Sequence, residues 1–134
     1  NASARFHDYR ERLQVEQELL VFRIIQELVN NVLKHSQAGF IHLTQNNSGN
    51  QMYFRIHHDG KGITQPEFER LNAGSQGLGL KNIASRINVL NGKIFFEIDP
   101  SQTYYKITIE VPRIKKFWSD FLLLLFLCLL LFLQ

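Results

Sequence analysis

Four side chains with metal- and phosphate-binding chemistry lie close together at spacings that suit one helical face. Glu27, Asn31, Lys34 and His35 are related by intervals of three, four, seven and eight residues, so in an α-helix they share one side. A carboxylate, an amide oxygen and a cation in one row could hold a hard metal ion and the phosphates that it bridges. The alternative, which this segment alone leaves open, is an ordinary solvated polar face.

Two glycine-rich segments follow. Residues 58–63, HDGKGI, contain two glycines that would let the backbone approach a ligand closely, beside an acidic residue that could accept a hydrogen bond from a nucleobase amine. Residues 74–82, GSQGLGLKN, lead into a predicted helix, and such an N-terminus presents N–H groups to phosphate. The spacing matches neither a Walker motif nor a dinucleotide fingerprint. Each segment alone is equally compatible with a turn.

Helical periodicity predicts two helices that would position these segments. The first covers residues 16–35, and the second begins near Leu78 and ends at Asn91-Gly92. The buried face of the first helix is predicted to consist of Leu20, Ile24, Ile25, Leu28, Val32 and Leu33.

Alternating apolar residues predict strands, two pairs of which form antiparallel hairpins. The first hairpin turns at residues 46–50, NNSGN, and one helical turn is predicted at residues 66–71. The strands are predicted at residues 4–9, 41–44, 52–57, 93–98 and 104–111. This order predicts an α+β fold, a two-layer α/β sandwich with helices on one face of a mixed, mostly antiparallel sheet.

Composition bounds the possible functions. A chain of 134 residues can bury one core, and residues 1–112 are predicted to form that domain. The net charge of +3 suits an anionic ligand, whereas the absence of a Lys/Arg stripe argues against nucleic acid. Cys128 is the single cysteine and cannot form an internal disulfide, which fits a cytoplasmic domain.

The three polar and glycine-rich segments, taken in order, resemble the GHKL superfamily of gyrase, chaperone, mismatch-repair and histidine-kinase ATPases. Residues 26–35, QELVNNVLKH, resemble the asparagine box of the histidine kinases, and residues 59–63 and 77–83 resemble their two glycine boxes. The first helix is most similar to the subgroup that pairs with LuxR-type response regulators. The resemblance covers about residues 5–112 and includes the last strand.

The resemblance implies a Bergerat-type fold that binds ATP and Mg²⁺. Asn31 would coordinate Mg²⁺ between the phosphates, Glu27 would order the water shell of the metal, and Lys34 and His35 would lie near phosphate oxygens. In this mechanism the protein positions the reactants and stabilises charge while the γ-phosphoryl group passes to a histidine.

The glycine boxes would complete the site. Gly60 and Gly62 would shape the adenine pocket, Gly77 and Gly79 would contact phosphate through their backbone, and residues 63–76 would form a lid hinged at Gly74 and Gly77. The other positions assigned to the nucleotide are His58, Asp59, Ile63, Leu78, Leu80 and Thr103.

This chain departs from the family pattern in two places. His58 stands where the family has the Asp that receives the adenine amino group, and Gln102-Thr103 replaces the usual Gly-Thr. A neutral imidazole offers one acceptor nitrogen, and Asp59 could substitute only if the strand register shifted. The two hypotheses are therefore an active kinase domain and a degenerate nucleotide-binding module that acts as a regulatory or docking surface.

None of the five histidines has the flanking residues of a phosphoacceptor motif, so this chain alone is not expected to phosphorylate itself. The resemblance implies a partner, the histidine-bearing dimerisation domain of the same parent kinase, with a response regulator downstream. Since sensor kinases commonly span membranes, a membrane-bound parent protein fits the resemblance.

Residues 113–134 lie outside the family pattern and consist of a basic linker and an apolar tail. The thirteen consecutive apolar residues 121–133 would form a helix of about 20 Å, shorter than the ~30 Å hydrocarbon core of a bilayer. Because such a helix is apolar on all sides, it needs a covering surface. Self-association is the favoured hypothesis, and membrane contact or packing onto the domain's own core are the alternatives.

Overall fold

The computed structural model describes residues 1–6, 12–74, 78–101 and 103–113. In these ranges the elements are β1 (Ala2–Phe6), α1 (Val15–His35), β2 (Ile41–Ser48), β3 (Gln51–His58), α2 (Gln65–Ala73), α3 (Leu78–Val89), β4 (Lys93–Ile98) and β5 (Tyr105–Pro112). The strands form one sheet in the order β1-β2-β3-β5-β4. β1 pairs with β2 in parallel and the other neighbouring strands are antiparallel, which confirms the predicted sheet.

The core lies between the helices and one face of the sheet. Strand β3 shows the alternation most clearly, since every second residue from Met52 to His58 is buried and those between are partly exposed. On the neighbouring strand, Ile109 and Val111 are completely buried. The period of a strand therefore carries His58 onto the same buried face as Ile56, although its side chain is polar.

The first helix packs through a stripe that runs along its length. Val21, Ile24, Leu28 and Val32 are buried at intervals of three and four residues, as helical geometry requires. The predicted buried face was wrong at Leu33, which is 66% exposed. This residue lies about 100° around the helix from Val32. The buried stripe instead includes Val21, one turn before Ile24.

The boundaries of three further elements differ from the sequence predictions. Strand β1 begins at Ala2, two residues before the predicted strand 4–9, whose residues 7–9 lie outside the described ones. Strand β2 extends into the predicted turn as far as Ser48. The turn is confined to Gly49 and Asn50, where Gly49 has a φ of 58°, a conformation that favours glycine.

Helix α2 has nine residues, whereas the sequence analysis predicted one turn. Its start is a capping box that the sequence contains as Thr64-Gln65-Pro66-Glu67. The Thr64 backbone N–H donates to Glu67 Oε2 at 2.7 Å, and the Glu67 N–H donates to Thr64 Oγ1 at 3.4 Å. These two bonds satisfy N–H groups that an uncapped helix start would leave free.

The tail at 113–134, apart from Arg113, lies outside the described residues, as do Gly77 and Gln102. No helix within the described residues has both the length and the apolar character needed to cross a bilayer.

A pair of identical substitutions on α1 tests this packing. Leu28→Ala is expected to lower the free energy of unfolding by about 3–5 kcal/mol, because Leu28 is 2% exposed and its loss leaves a cavity. Leu33→Ala is expected to change it by less than about 0.5 kcal/mol, because the side chain is solvated. Urea denaturation followed by circular dichroism measures both, and equal losses would contradict the orientation of α1.

Candidate functional site

A cavity of about 540 Å³ lies between α1, the start of α3 and the sheet, within the size range of small-molecule sites. Its helical wall carries Glu27, Asn31 and His35, and its floor is formed by residues at the ends of β3, β4 and β5. The residues that line it are Glu27, Leu28, Asn31, Val32, His35, Ser36, His58, Lys61, Gly62, Ile63, Leu71, Gly79, Leu80, Phe96, Tyr105, Lys106 and Ile107.

On the helical wall, Glu27, Asn31 and His35 follow one another at four-residue intervals and all line the cavity. They lie there because the stripe of Ile24, Leu28 and Val32 is pressed against the sheet, which leaves the adjacent face of α1 turned toward the opening. The structure therefore brings together three of the four side chains that the helical spacing placed in one row. The fourth, Lys34, is exposed and does not line the cavity.

The start of α3 closes one side of the cavity. A Cβ added to Gly79 would lie 2.5 Å from Glu27 Oε1, so the first turn of α3 approaches the carboxylate on α1 closely. Both Gly79 and Leu80 line the cavity. A helix N-terminus attracts negative charge, so this wall provides backbone donors for an anionic ligand beside a carboxylate and an amide.

The floor is aromatic and apolar. Tyr105 stacks on the ring of His58 with a centroid distance of 5.5 Å and an interplanar angle of 12°. The two residues are directly paired across β3 and β5, and Phe96 and Ile107 are paired across β4 and β5. Such a surface suits a flat, weakly polar group of a ligand.

His58 is the buried polar residue of this floor, with 2% of its surface exposed. Its Nδ1 is buried and has no hydrogen-bond partner among the described residues. Burial lowers the pKa of His58 below its usual value, and the opposing effect of the Asp59 charge is smaller. The imidazole is therefore neutral at pH 7.

The side chain of Asp59 serves the loop and not the cavity. Its Oδ1 accepts hydrogen bonds from the backbone N–H groups of Gly39 and Phe40 at 2.8 and 2.9 Å, and the bond from Phe40 is the largest cause of its lowered pKa. Asp59 is exposed and does not line the cavity. The strand register is not shifted, so His58 keeps the position that faces the cavity.

Gly60 and Gly62 are required by close contacts at two different surfaces. A Cβ on Gly60 would lie 2.4 Å from the Ser36 carbonyl oxygen and 2.7 Å from the Ala38 nitrogen. A Cβ on Gly62 would lie 2.3 Å from Cδ1 of Tyr105. Gly60 thus packs the loop on the C-terminal end of α1 without lining the cavity, while Gly62 shapes the cavity itself together with Ile63.

The remaining predicted positions lie elsewhere. Thr103 is in the β4–β5 loop, where its N–H and hydroxyl bond to the Asp99 carboxylate, and it does not line the cavity. Hydrogen bonds from Ser101 and the Tyr104 backbone lower the pKa of Asp99 to about 2. Leu78 begins α3, while its side chain, like Gly77, is outside the described residues.

Sequence reasoning missed several residues of the floor. Phe96, Tyr105 and Lys106 come from β4 and β5, about 60 to 70 residues after the asparagine-containing helix and outside every motif. The alternation of residues along a strand could have assigned them to one face of the sheet, but it could not have shown that they lie beside this cavity. Lys61 had a signal, because it stands between the two glycines of HDGKGI.

The side chains of the cavity could hold Mg²⁺ only if water and substrate phosphates supplied most of its ligands. The described residues contain no group of three His, Cys, Asp or Glu side chains able to hold a metal ion. Mg²⁺ characteristically uses one or two protein ligands and completes its shell with water and substrate phosphates. Glu27 and Asn31, both lining the cavity one helical turn apart, match that requirement. His57 and His58 cannot share an ion, because neighbours on β3 point to opposite faces of the sheet.

Two glycine substitutions distinguish a required contact from a free surface. Gly60→Ala is expected to cost at least about 2 kcal/mol of stability, because two of the three atoms that its Cβ would meet, the Ser36 oxygen and the Ala38 nitrogen, belong to the backbone. Gly49→Ala is the matched control, since nothing lies within 4 Å and only its φ of +58° opposes alanine, at about 1 kcal/mol. Thermal unfolding shows which variant loses more stability, and a smaller loss for Gly60→Ala than for Gly49→Ala would contradict the loop packing.

Buried His58 makes stability depend on pH. On His58, the unfolded chain binds a proton near pH 6.5, and the folded chain binds it only at lower pH. The stabilising contribution of the neutral His58 is therefore complete above pH 6.5 and is lost as the pH falls below it. The free energy of unfolding is expected to fall between pH 7.5 and 5.5 by at most about 1.4 kcal/mol per pH unit for this group. His58→Gln should reduce that slope, and an unchanged slope would contradict the assignment.

A family model described as histidine kinase-, DNA gyrase B-, and HSP90-like ATPase matches residues 16–115. The sensor histidine kinase ComP of Bacillus subtilis (strain 168) is 30% identical over 99 residues, which is 74% of this chain and 12% of ComP. The signal transduction histidine-protein kinase/phosphatase DegS of Brevibacillus brevis is 30% identical over 91 residues, covering 68% of this chain and 22% of DegS. The chain thus spans less than a quarter of the length of either relative.

Solved structures support the same fold. The histidine kinase domain of the blue-light activated histidine kinase from Erythrobacter litoralis EL346 superposes with a TM-score of 0.68 at 19% identity, over 84% of this chain and 51% of that one. The catalytic domain of the histidine kinase ThkA gives a TM-score of 0.69 at 16% identity, over 84% and 78% of the two chains. With the family model matching most of its length, the chain belongs to the family of histidine kinase-, DNA gyrase B- and HSP90-like ATPases and is an ATP-binding domain of the kind found in sensor histidine kinases.

Proposed function

We propose that this chain is the catalytic domain of a two-component sensor kinase, which binds Mg-ATP in the cavity and presents its γ-phosphoryl group to a histidine on a separate dimerisation domain. The observation that carries the proposal is the convergence of three sequence motifs on one cavity. Asn31 on α1, Gly62 after β3 and Gly79 on α3 come from segments far apart in the chain and all line it.

The chemistry of the two sides orients the nucleotide. The purine base occupies the apolar floor near Tyr105 and Ile63, and the phosphates extend along the helical wall toward Asn31 and the start of α3. Bound Mg²⁺, held by the Asn31 side-chain oxygen with Glu27 ordering its water, would neutralise charge on the phosphates.

The residues of this chain then act by positioning. His35 and Lys61 line the cavity and can donate hydrogen bonds to phosphate oxygens, while Gly79 offers a backbone N–H at the start of α3. Lys34, exposed on the next face of α1, is proposed to reach phosphate only from outside the cavity. Holding the γ-phosphoryl group in line with an incoming imidazole is the main contribution such a site makes to phosphoryl transfer.

The partners follow from the chemistry. The acceptor histidine is proposed to lie on the dimerisation domain of the parent kinase, and a response regulator is proposed to receive the phosphoryl group afterwards. The parent protein is proposed to place this domain in the cytoplasm. The tail at 113–134, whose residues after Arg113 are outside the described ones, is proposed to mediate self-association.

Calorimetric titration of ATP, with and without Mg²⁺, tests the proposal on the chain and two variants. Micromolar binding that weakens without Mg²⁺ is the expected result for the unmodified chain. Asn31→Ala is expected to weaken binding at least tenfold and to abolish the effect of Mg²⁺, because it removes the amide oxygen from the cavity.

Asn30→Ala is the matched control, since Asn30 is the exposed neighbour of Asn31 and does not line the cavity. Its binding should equal that of the unmodified chain. If circular dichroism shows that the chain is folded and the titration shows no binding of ATP, the kinase proposal is contradicted and the degenerate docking module is favoured.

A further inference from the structure

The floor of the cavity contains a buried polar side chain whose hydrogen-bonding capacity is unused. His58 is 2% exposed, its Nδ1 has no partner among the described residues, and its ring lines the cavity. Lys106 also reaches the cavity, but its ammonium pairs with Glu97 at 2.9 Å. Because Nδ1 is buried, Nε2 is the ring nitrogen of His58 that is left to meet the polar edge of a flat ring placed on this floor.

We propose that His58 removes the preference for a 6-amino purine, so that the cavity accepts 6-oxopurine nucleoside triphosphates as well as it accepts ATP. The inference rests on the proposed function, because it takes the cavity to be the nucleotide site. It adds the class of base that the site tolerates and assigns selectivity to one residue.

The base must lie on the floor because of the division of chemistry in the cavity. Tyr105, Phe96 and Ile107 provide an aromatic and aliphatic surface for a purine, whereas Glu27, Asn31 and the start of α3 provide the polar wall. A triphosphate placed against these aromatic and aliphatic side chains would lose hydration that they cannot replace by hydrogen bonds. The base placed there leaves its exocyclic edge toward His58.

The tautomer of His58 decides what that edge meets. Burial keeps the ring neutral, so one nitrogen carries a proton and the other does not. A proton on Nδ1 would be a buried donor without a partner, an arrangement that folded proteins avoid more strictly than an unused acceptor. The proton therefore resides on Nε2, and His58 presents a donor to the ligand.

A donor at this position does not distinguish purines as a carboxylate would. The 6-oxo group accepts a hydrogen bond from Nε2 directly, and adenine can accept one only at its ring nitrogen. A carboxylate only accepts hydrogen bonds, so it would favour the 6-amino group and repel the 6-oxo group. Selectivity of about tenfold or more is typical when a buried polar group is matched to one base and unmatched to another.

The test compares ATP with inosine triphosphate, which differs at the 6-position of the purine and in the protonation of the adjacent ring nitrogen. Both are titrated calorimetrically into the full chain with Mg²⁺ at pH 7.5. The expected dissociation constants differ by less than tenfold in either direction. His58→Asp is expected to shift the ratio at least tenfold toward ATP, because it replaces the donor by an acceptor.

His57→Asp is the matched control, since it adds the same charge at the adjacent position on the opposite face of β3, and it should leave the ratio unchanged. A tenfold or greater preference for ATP in the unmodified chain would overturn the inference while leaving the proposed function intact. An unchanged ratio in folded His58→Asp would overturn it as well. If that variant does not fold, the ratio for the unmodified chain decides alone. Absence of binding by both nucleotides would overturn the proposed function itself.

Discussion

The seating of α1 on the sheet is the packing constraint on which the rest of the structure depends. Ile24, Leu28 and Val32 lose almost all contact with water against the sheet, and burying side chains of this size stabilises the fold by about 1.5–3 kcal/mol each. Because a helix is rigid, this stripe also determines the direction of every other side chain on α1. The polar face beside it therefore opens onto a cavity rather than onto bulk solvent.

Close backbone contacts hold the first glycine-rich segment, residues 58–63, to the C-terminal end of this helix. The Lys61 N–H donates to the Ser36 carbonyl at 2.8 Å, and Asp59 binds the Gly39 and Phe40 amides at the end of α1. These bonds join the loop after β3 to the C-terminal end of the helix, and the lack of a Cβ at Gly60 makes the approach possible. The site is thus built on hydrogen-bonded backbone, whose positions tolerate little adjustment.

His58 shows how a single position can satisfy the fold and alter the chemistry. The buried face of β3 requires a side chain that tolerates desolvation, and a neutral imidazole stacked on Tyr105 meets that requirement. A carboxylate there would need a partner to offset the cost of burial. The same neutrality leaves the cavity with an uncharged hydrogen-bonding group at this position.

The sequence by itself determined the elements, the fold class and the motifs. Periodicity located both long helices and three of the five strands closely, because side-chain spacing follows from backbone geometry alone. The capping box of α2 was also present in the sequence, although the helix was predicted as one turn. The family resemblance, carried by three ordered motifs, named several of the residues that line the cavity, and the family match confirmed the resemblance itself.

Only the tertiary structure decided which of those residues meet. Asn31 and Gly79 are 48 positions apart and share a cavity, while Lys34 and Thr103, named by the same resemblance, do not reach it. Leu33 and Val32 are adjacent and equally apolar, yet one is 66% exposed and the other 5%. The reason is that local spacing defines faces, whereas the partner of each face is chosen by packing between distant segments. No local pattern contains that information.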